Sequence, residues 1–441
     1  NCSFLNIESW SDFGDLFYLL LVGTGVGLKS TKAMAAGMKP IRTDVKIRHN
    51  PYVQRYPKTK VEDTEVHYIN NGRTAVIHVG DSKEGWVKAL NEFFALLTNN
   101  DAINEISIYY DYIRPHGTRL NTFGGTASGH EPLKEMFEGI EKVLKNEIDP
   151  SLEPLEKVGD NRVKVRPIHV LDIANLIGNN VVVGGVRRTA EIFLFDADDY
   201  ESMFAKYGIN GIWDEAQHCK VIERVRELGL DKYADYLESL PINDPNARPL
   251  HHRRMSNNSI AFESKPSREQ LNLIFEMMKA EGEPGFVNME EAKRRRPNAE
   301  GLNPCVEIIL DSYGVCNLTT VNLVQFVKNI DGLDCIDVNG LIRAQELSAR
   351  AGLRMTLAEL ELPHWDAVQQ RDRLLGTSMT GVKDALAMVE YTEQEEAELL
   401  SLLGDASRRA AEAYAKELRV ATPLLATTVK PEGTISQVAG G

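Results

Sequence analysis

Cysteine is scarce in this chain: there are five in 441 residues, an odd number, and no C-x-x-C pair. That scarcity argues against a disulfide-stapled secreted scaffold and against a cysteine-rich zinc site. It favours a reducing, cytoplasmic compartment. Long apolar runs are missing too. The longest, Leu16 to Val22, falls well short of the about 20 residues a membrane-spanning helix needs. No basic segment precedes an apolar one at the start, so neither a span nor a signal peptide is expected. Positive charge is also lacking: 50 Lys and Arg face 64 Asp and Glu, a formal −14 with a pI near 5.3. No global field displaces counterions from phosphates, so nucleic acid is not an expected partner. The clusters His251 to Arg254 and Lys293 to Arg296 read as solvated surface. No internal repeat or low-complexity tract occurs.

What is present is an α/β pattern. Runs rich in β-branched residues, 75–79, 105–110, 191–195 and 306–310, read as strands. They alternate with amphipathic helical patterns at 86–97, 132–144, 215–240, 268–280, 341–360 and 393–418. Glycine and proline gather in short segments, "GTGVG" (23–27), "RPHGTRLNTFGGTASG" (114–129), "VGGVRRTAE" (183–191), "GEPG" (282–285) and "KPEGTIS" (430–436). Such stretches let main-chain amides approach a ligand, or simply mark turns. "GTGVGLKS" fits neither a Walker A loop nor a dinucleotide fingerprint, because Leu28 stands where each needs glycine.

Two of the five cysteines lie in "NPCVEIILDSYGVC" (303–316). Cys219, in a helical pattern, and Cys335 read as packing residues, the usual fate of an isolated cysteine. Cys305 differs by its company. Asn303 and Glu307 flank it at alternate positions, and in an extended segment all three side chains share one face. An amide and a carboxyl without partners are costly at core positions of a strand. A turn over 311–314 then leads into a returning strand, "VCNLTTVNL". An ideal hairpin sets Cys316 opposite Ile309, so Cys305 and Cys316 need not bridge. The pattern by itself supports only a thiol-based oxidoreductase.

The ordered set of motifs resembles the catalytic subunit of ribonucleotide reductases, most closely the monomeric, adenosylcobalamin-dependent (class II) ribonucleoside-triphosphate reductases. "NCSF" at the start, "GTGVG", "GGVRRTAEI", "SNNSI" (256–260), "GEPG", "NPCVEI", "CNLTTVNL", "TGVKDA" (380–385) and "TTVKPEGTIS" follow the family's order from Cys2 to Ser436. The resemblance implies that Cys305 carries the thiyl radical that takes the ribose 3′ hydrogen. It implies that Cys2 and Cys316 are the reducing pair, that Glu307 exchanges protons with the ribose hydroxyls, and that Asn303 hydrogen-bonds to them. Glu307 is expected to be partly desolvated, which raises a carboxyl pKa. A thiyl radical calls for an enclosed pocket. Gly433, Thr434 and Ser436 match the substrate-phosphate loop. There Glu432 departs from a common serine, and its side chain is expected to point away from phosphate. Val306 stands where glycine is frequent. Gly184, Gly185 and Arg187 match the specificity loop.

By the same resemblance the fold is a ten-stranded α/β barrel of two antiparallel five-stranded parallel halves with a central finger loop, plus an inserted α/β effector-binding subdomain. Between "GTGVG" and "GGVRR" lie 156 residues, 28 to 183. The expected division is therefore 1–54 for the first part of the barrel, 55–165 for the insertion with the allosteric specificity site, and 166–441 for the rest. The implied cofactor is adenosylcobalamin, with no metal site. The implied partners are a ribonucleoside triphosphate substrate, a deoxynucleotide effector and thioredoxin or a similar dithiol, acting on a monomer. The region ahead of Cys2 and the tail with its re-reducing cysteines are missing, so the chain reads as a core fragment. One alternative is a class I-type subunit acting on diphosphates with a separate metal-containing radical generator. Another is an inactive nucleotide-binding regulatory relative.

Overall fold

The structure is a computed structural model; it describes residues 1–121, 124–183, 189–433 and 435–439. Gly184, Gly185, Arg187 and Thr434 lie outside the described residues. The chain forms two compact units, Leu5–Pro297 on one hand and Asn1–Phe4 with Asn298–Gly441 on the other.

In the larger unit, strands Gly25–Lys29, Glu191–Asp196, Ser256–Phe262 and Gly285–Asn288 lie side by side, all parallel. Glu191–Asp196 is apolar and buried along nearly its whole length, as a parallel strand covered on both faces must be. The "GTGVG" segment is thus largely the start of a strand, with Gly25 and Gly27 inside its ladder. Helix Pro167–Val182 begins with the proline its first turn tolerates, and most of its residues are buried. The basic cluster at 251–254 is only partly solvated surface, with His251 and Arg254 exposed and Arg253 inside. Arg253 is fully buried, donating from Nε and Nη2 to the two Asp172 oxygens at 2.7 and 2.9 Å and from Nη1 to Asp149 at 2.8 Å. A buried guanidinium is tolerable only with such paired carboxylates.

The same unit contains a second sheet, ordered Lys46–His49, Glu105–Tyr109, Thr74–His78, Glu65–Ile69. Ala75, Ile77, Ile106 and Ile108 are fully buried or nearly so, and the intervening Val76 and Ser107 are buried too, so both faces of these two strands are covered. Helices Lys83–Asn99 and Glu131–Leu144 meet through Phe93 and Phe137, whose rings cross edge to face at 5.1 Å. The helical pattern at 215–240 is two helices, Glu215–Glu227 and Asp231–Glu238. They are parted at Gly229, whose φ of 73° no helix accommodates.

In the smaller unit, the residues Cys2, Ser3 and Phe4 pair antiparallel with Cys316, Val315 and Gly314. Strand Gly314–Asn322 also pairs in parallel with Leu375–Thr380. Helices Val338–Met355 and Glu393–Leu418 belong to this unit. The second covers the range its periodicity predicts, closed at its start by a Thr392/Glu395 capping box. The first ends at Met355 rather than 360, after beginning at an Asp337 cap. The class is α/β. The described residues supply four parallel strands to one main sheet and a mixed three-stranded ladder to the smaller unit, rather than a full ten-stranded barrel.

Candidate active site

The expected strand over 306–310 is only Ile309–Leu310, and its partner is Gly301–Leu302 rather than the strand bearing Cys316. Residues 303–308 form the loop of that small hairpin. Val306 has φ of 68°, and its N–H donates to the Asn303 carbonyl at 3.0 Å. The segment therefore turns where an extended chain was expected. A β-branched residue at positive φ is strained, and the glycine frequent at this place in the family is the residue that geometry prefers. Gly301 is required for a different reason: a Cβ there would lie 2.1 Å from the Phe4 ring. That close approach seats the loop against the strand carrying Cys2.

The turn still brings Asn303 and Glu307 together, by another route than strand alternation. Asn303 is fully buried. Its Oδ1 accepts the Ile308 N–H at 2.9 Å, and a main-chain amide can only donate, so the amide nitrogen points the other way. Nδ2 donates to Glu307 Oε2 at 2.7 Å and to Cys2 Sγ at 3.1 Å. The Cys2 thiol in turn faces Glu307 Oε1 at 3.9 Å. Cys2 and Cys316 are buried and directly opposed across the antiparallel ladder. Directly opposed residues have Cα atoms about 4.5–5.5 Å apart, inside the span a disulfide accepts. All five cysteines are free thiols.

Electrostatics separates the thiols. Burial, and after it the Glu307 carboxylate, pushes Cys2 up to about 11; the Asn303 amide opposes, and Cys305 adds a smaller upward push. Cys305 is exposed at the loop tip. Partial desolvation, and after it Glu307, still hold its thiol above the ordinary range, with the Lys430 ammonium opposing. So Cys2, Cys305, Cys316, Asn303 and Glu307 gather within one unit, although Cys305 is not enclosed among the described residues. Cys219 and Cys335 are exposed rather than packed, one on a helix and one on a hairpin.

A strap that the cysteine pattern did not reveal lies beside this loop. Residues 425–428 run along strand Leu375–Thr380, with Leu375 and Thr377 N–H groups donating to the Leu425 and Ala426 carbonyls. Thr428 Oγ1 donates to the Glu307 carbonyl at 2.9 Å, and the Lys430 N–H donates to Ser378 Oγ at 2.9 Å. Glu432 does not point into open space: it accepts from Thr320 Oγ1 at 2.8 Å and from Lys430 Nζ at 3.2 Å. Gly433 follows at φ of 53°, and Ser436 Oγ donates to its carbonyl. The only sequence signal for the strap was the "TTVKPEG" run, whose threonines and lysine have no unusual spacing.

The larger unit contains a cavity of about 390 Å³ lined by Lys83, Trp86, Arg114, Asn180 and Val183 among others. Trp86 Nε1 and Asn180 Oδ1 are buried there without a hydrogen-bond partner among the described residues. Arg114 is already held by Asp81, at 2.9 Å from Nε to Oδ2. Among the described residues, no group of three or more His, Cys, Asp or Glu could hold a metal ion, and no helix is long and apolar enough to cross a membrane.

Residues 52–144 match the family model described as B12-dependent ribonucleotide reductase, insertion domain, and 230–404 match ribonucleotide reductase, barrel domain. A protein of Lactobacillus helveticus named adenosylcobalamin-dependent ribonucleoside-triphosphate reductase is 29% identical over 419 residues, covering 86% of this chain and 48% of the relative. One of the same name from Lactobacillus acidophilus is 28% identical over 476 residues, covering 97% and 56%. The chain spans about half the length of the curated relatives it matches. The crystal structure of a B-12 dependent (class II) ribonucleotide reductase superposes with a TM-score of 0.74 at 23% identity, over all of this chain and 61% of the other, which establishes the fold. With both family domains in order and its matches running along most of its length, this chain is a homologue of the adenosylcobalamin-dependent ribonucleoside-triphosphate reductases.

Proposed function

We propose that this chain is the catalytic core of an enzyme that reduces ribonucleoside triphosphates to 2′-deoxyribonucleotides, with Cys305 as the hydrogen-abstracting thiol and Cys2 and Cys316 as the reductant. The observation that carries this reading is the opposition of Cys2 and Cys316 across one ladder, with Cys2 held by the same Asn303 amide that holds Glu307. Two thiols there can become a disulfide while the 2′-hydroxyl leaves as water: the sugar gains hydrogen, the two sulfurs lose theirs, and the balance closes. Glu307, beside Cys2 and next but one to Cys305, would accept and return the hydroxyl protons. Asn303 orients it.

Adenosylcobalamin, when bound, supplies the initiating radical. The residues fit that source, because the Cys305 thiol is reachable from outside and the neighbouring Val306 and Val429 side chains expose apolar surface to a large ligand. The phosphates would lie along 430–436, with Gly433, Thr434 and Ser436 as contacts. A deoxynucleotide effector would occupy the cavity lined by Trp86 and Asn180. Val183 at its edge leads directly into Gly184, Gly185 and Arg187, the proposed specificity loop. The insertion, taken as 55–165, would carry this site in a monomer, with 1–54 and 166–441 forming the catalytic part. Thioredoxin or a similar dithiol would return the Cys2–Cys316 disulfide to thiols.

The test is to incubate the protein with adenosylcobalamin, a ribonucleoside triphosphate and dithiothreitol, and to measure deoxynucleoside triphosphate. Product is expected only with the cofactor, and Cys305→Ser is expected to abolish it while nucleotide binding persists. Turnover by Cys305→Ser would overturn the assignment.

A further inference from the structure

The strap beside Cys305 contains a lysine whose charge is already spoken for. Lys430 lies two residues beyond Thr428, whose hydroxyl holds the Glu307 carbonyl of the Cys305 loop at 2.9 Å, and its ammonium opposes the upward push of burial and Glu307 on the Cys305 thiol. Its Nζ is bound to Glu432 Oε2 at 3.2 Å, and Glu432 is in turn held on its other oxygen by Thr320 Oγ1 at 2.8 Å. The Glu432 side chain is only 7% exposed and that of Lys430 25%, so this pair is screened far less than a surface ion pair. The strap is fastened at the near end of the pair: Lys430 N–H to Ser378, and Thr428 to the Glu307 carbonyl of the reacting loop. A carboxylate at this place in a phosphate-binding loop looks like an error, since it would repel the ligand. It makes sense if its task belongs to the empty state.

A hydrogen-atom donor must be a thiol, S–H, not a thiolate. An uncompensated ammonium beside Cys305 would favour the thiolate, which attacks electrophiles and disulfides and oxidises readily. A carboxylate on that ammonium weakens the bias. When a polyphosphate arrives, its oxygens can take over the same ammonium, so the thiol stays neutralised in both states. We infer that Glu432 is a positioning residue that neutralises Lys430 beside Cys305 while the site is empty and yields that lysine to the phosphates of an incoming nucleotide. The inference rests on the proposed role of 430–436 only for its second half. Thr320 makes the exchange reversible, because Glu432 keeps one hydrogen bond when it lets go of the lysine.

The test follows alkylation of Cys305 by iodoacetamide, read by peptide mass spectrometry across pH, in the 441-residue protein and its Glu432→Gln, Lys430→Gln and double variants, each with and without tripolyphosphate. Glu432→Gln is expected to move the Cys305 profile to lower pH and to speed alkylation near pH 7.5 by about three- to tenfold, the effect of a half to one pK unit. Lys430→Gln, which leaves the Glu432 carboxylate uncompensated, moves it the opposite way, and the double variant, which removes both charges of the pair, lies close to the unsubstituted protein. Local unfolding would instead speed both single variants alike, and that result overturns the inference. Tripolyphosphate should return the Glu432→Gln profile to that of the unsubstituted protein, half-saturating at lower concentration than in the latter. Overlaid profiles for Glu432→Gln and the unsubstituted protein overturn the neutralising role. A Glu432→Gln shift that tripolyphosphate leaves untouched overturns the hand-over together with the phosphate-loop reading. Equal tripolyphosphate affinity in both proteins, with the loop evidently binding, overturns the hand-over alone.

Discussion

The Cys2 thiol should be nearly inert to alkylation although it is assigned a redox role. Burial and the Glu307 carboxylate raise it from an ordinary 9.0 to about 11. Below both values each pK unit reduces the reactive thiolate tenfold, so at neutral pH Cys2 should react about a hundredfold more slowly than an unperturbed thiol. Cys219 and Cys335, both exposed, serve as internal references in the same peptide map. Glu307→Gln removes the second-ranked cause and should speed Cys2 several-fold without reaching the references, because burial remains. The same shift links to stability. A group whose folded pKa is raised contributes fully below its unfolded value and loses that contribution as pH rises toward the folded one. Unfolding should therefore become easier between about pH 9 and 11, by at most about 2.7 kcal/mol, and Cys2→Ala should lose that slope. Alkylation of Cys2 within about threefold of Cys335, or no response to Glu307→Gln, would refute the packing of thiol against carboxylate.

Mild oxidation with diamide should form a Cys2–Cys316 bridge, seen as a cross-linked peptide pair by mass spectrometry and abolished by Cys316→Ser; a Cys2–Cys305 bridge as the main product would contradict the ladder register. Asn303→Ala leaves the Ile308 N–H and Glu307 without their partner, and the urea midpoint should report a loss of about 2–4 kcal/mol; less than about 1 would mean the amide organises nothing. Val306→Gly relieves positive φ at an exposed position and should raise thermal stability by about 1 kcal/mol, against the usual cost of introducing glycine; destabilisation would contradict the turn. Arg253→Met takes the guanidinium from the buried Asp172 and Asp149, leaving them only His252 and Arg248 respectively as basic partners, and should cost about 3–5 kcal/mol at neutral pH. Both carboxyls are held low by Arg253 against their burial, so the variant should recover part of its deficit on acidification, where they can protonate. A deficit that does not shrink with acid would refute that network.

Sequence and structure divide the account along a physical line. Local chemistry was legible in the chain itself. Helix 393–418 follows from its 3.6-residue period and its Thr392 cap, and strands 74–78 and 105–109 follow from short runs rich in β-branched residues, because each depends on neighbours a few positions away. The ordered motifs led to the family, and with it to Cys2, Cys305 and Cys316, because residue types in sequence order are a one-dimensional property. The placement of 303–308 was not legible. Periodicity suggested an extended face, and the chain instead turns at Val306, in a loop seated by the close approach of Gly301 to Phe4, a residue far away in sequence. Nor could the pattern show that Arg253 is buried, as its carboxylates come from Asp149 and Asp172, or that Glu432 turns onto Lys430 and Thr320. Sequence by itself determined which groups are available and which short stretches fold alone. Only tertiary structure decided which thiol faces which, because the energy of a buried polar group depends on partners that chain folding, not chain order, brings within hydrogen-bond reach.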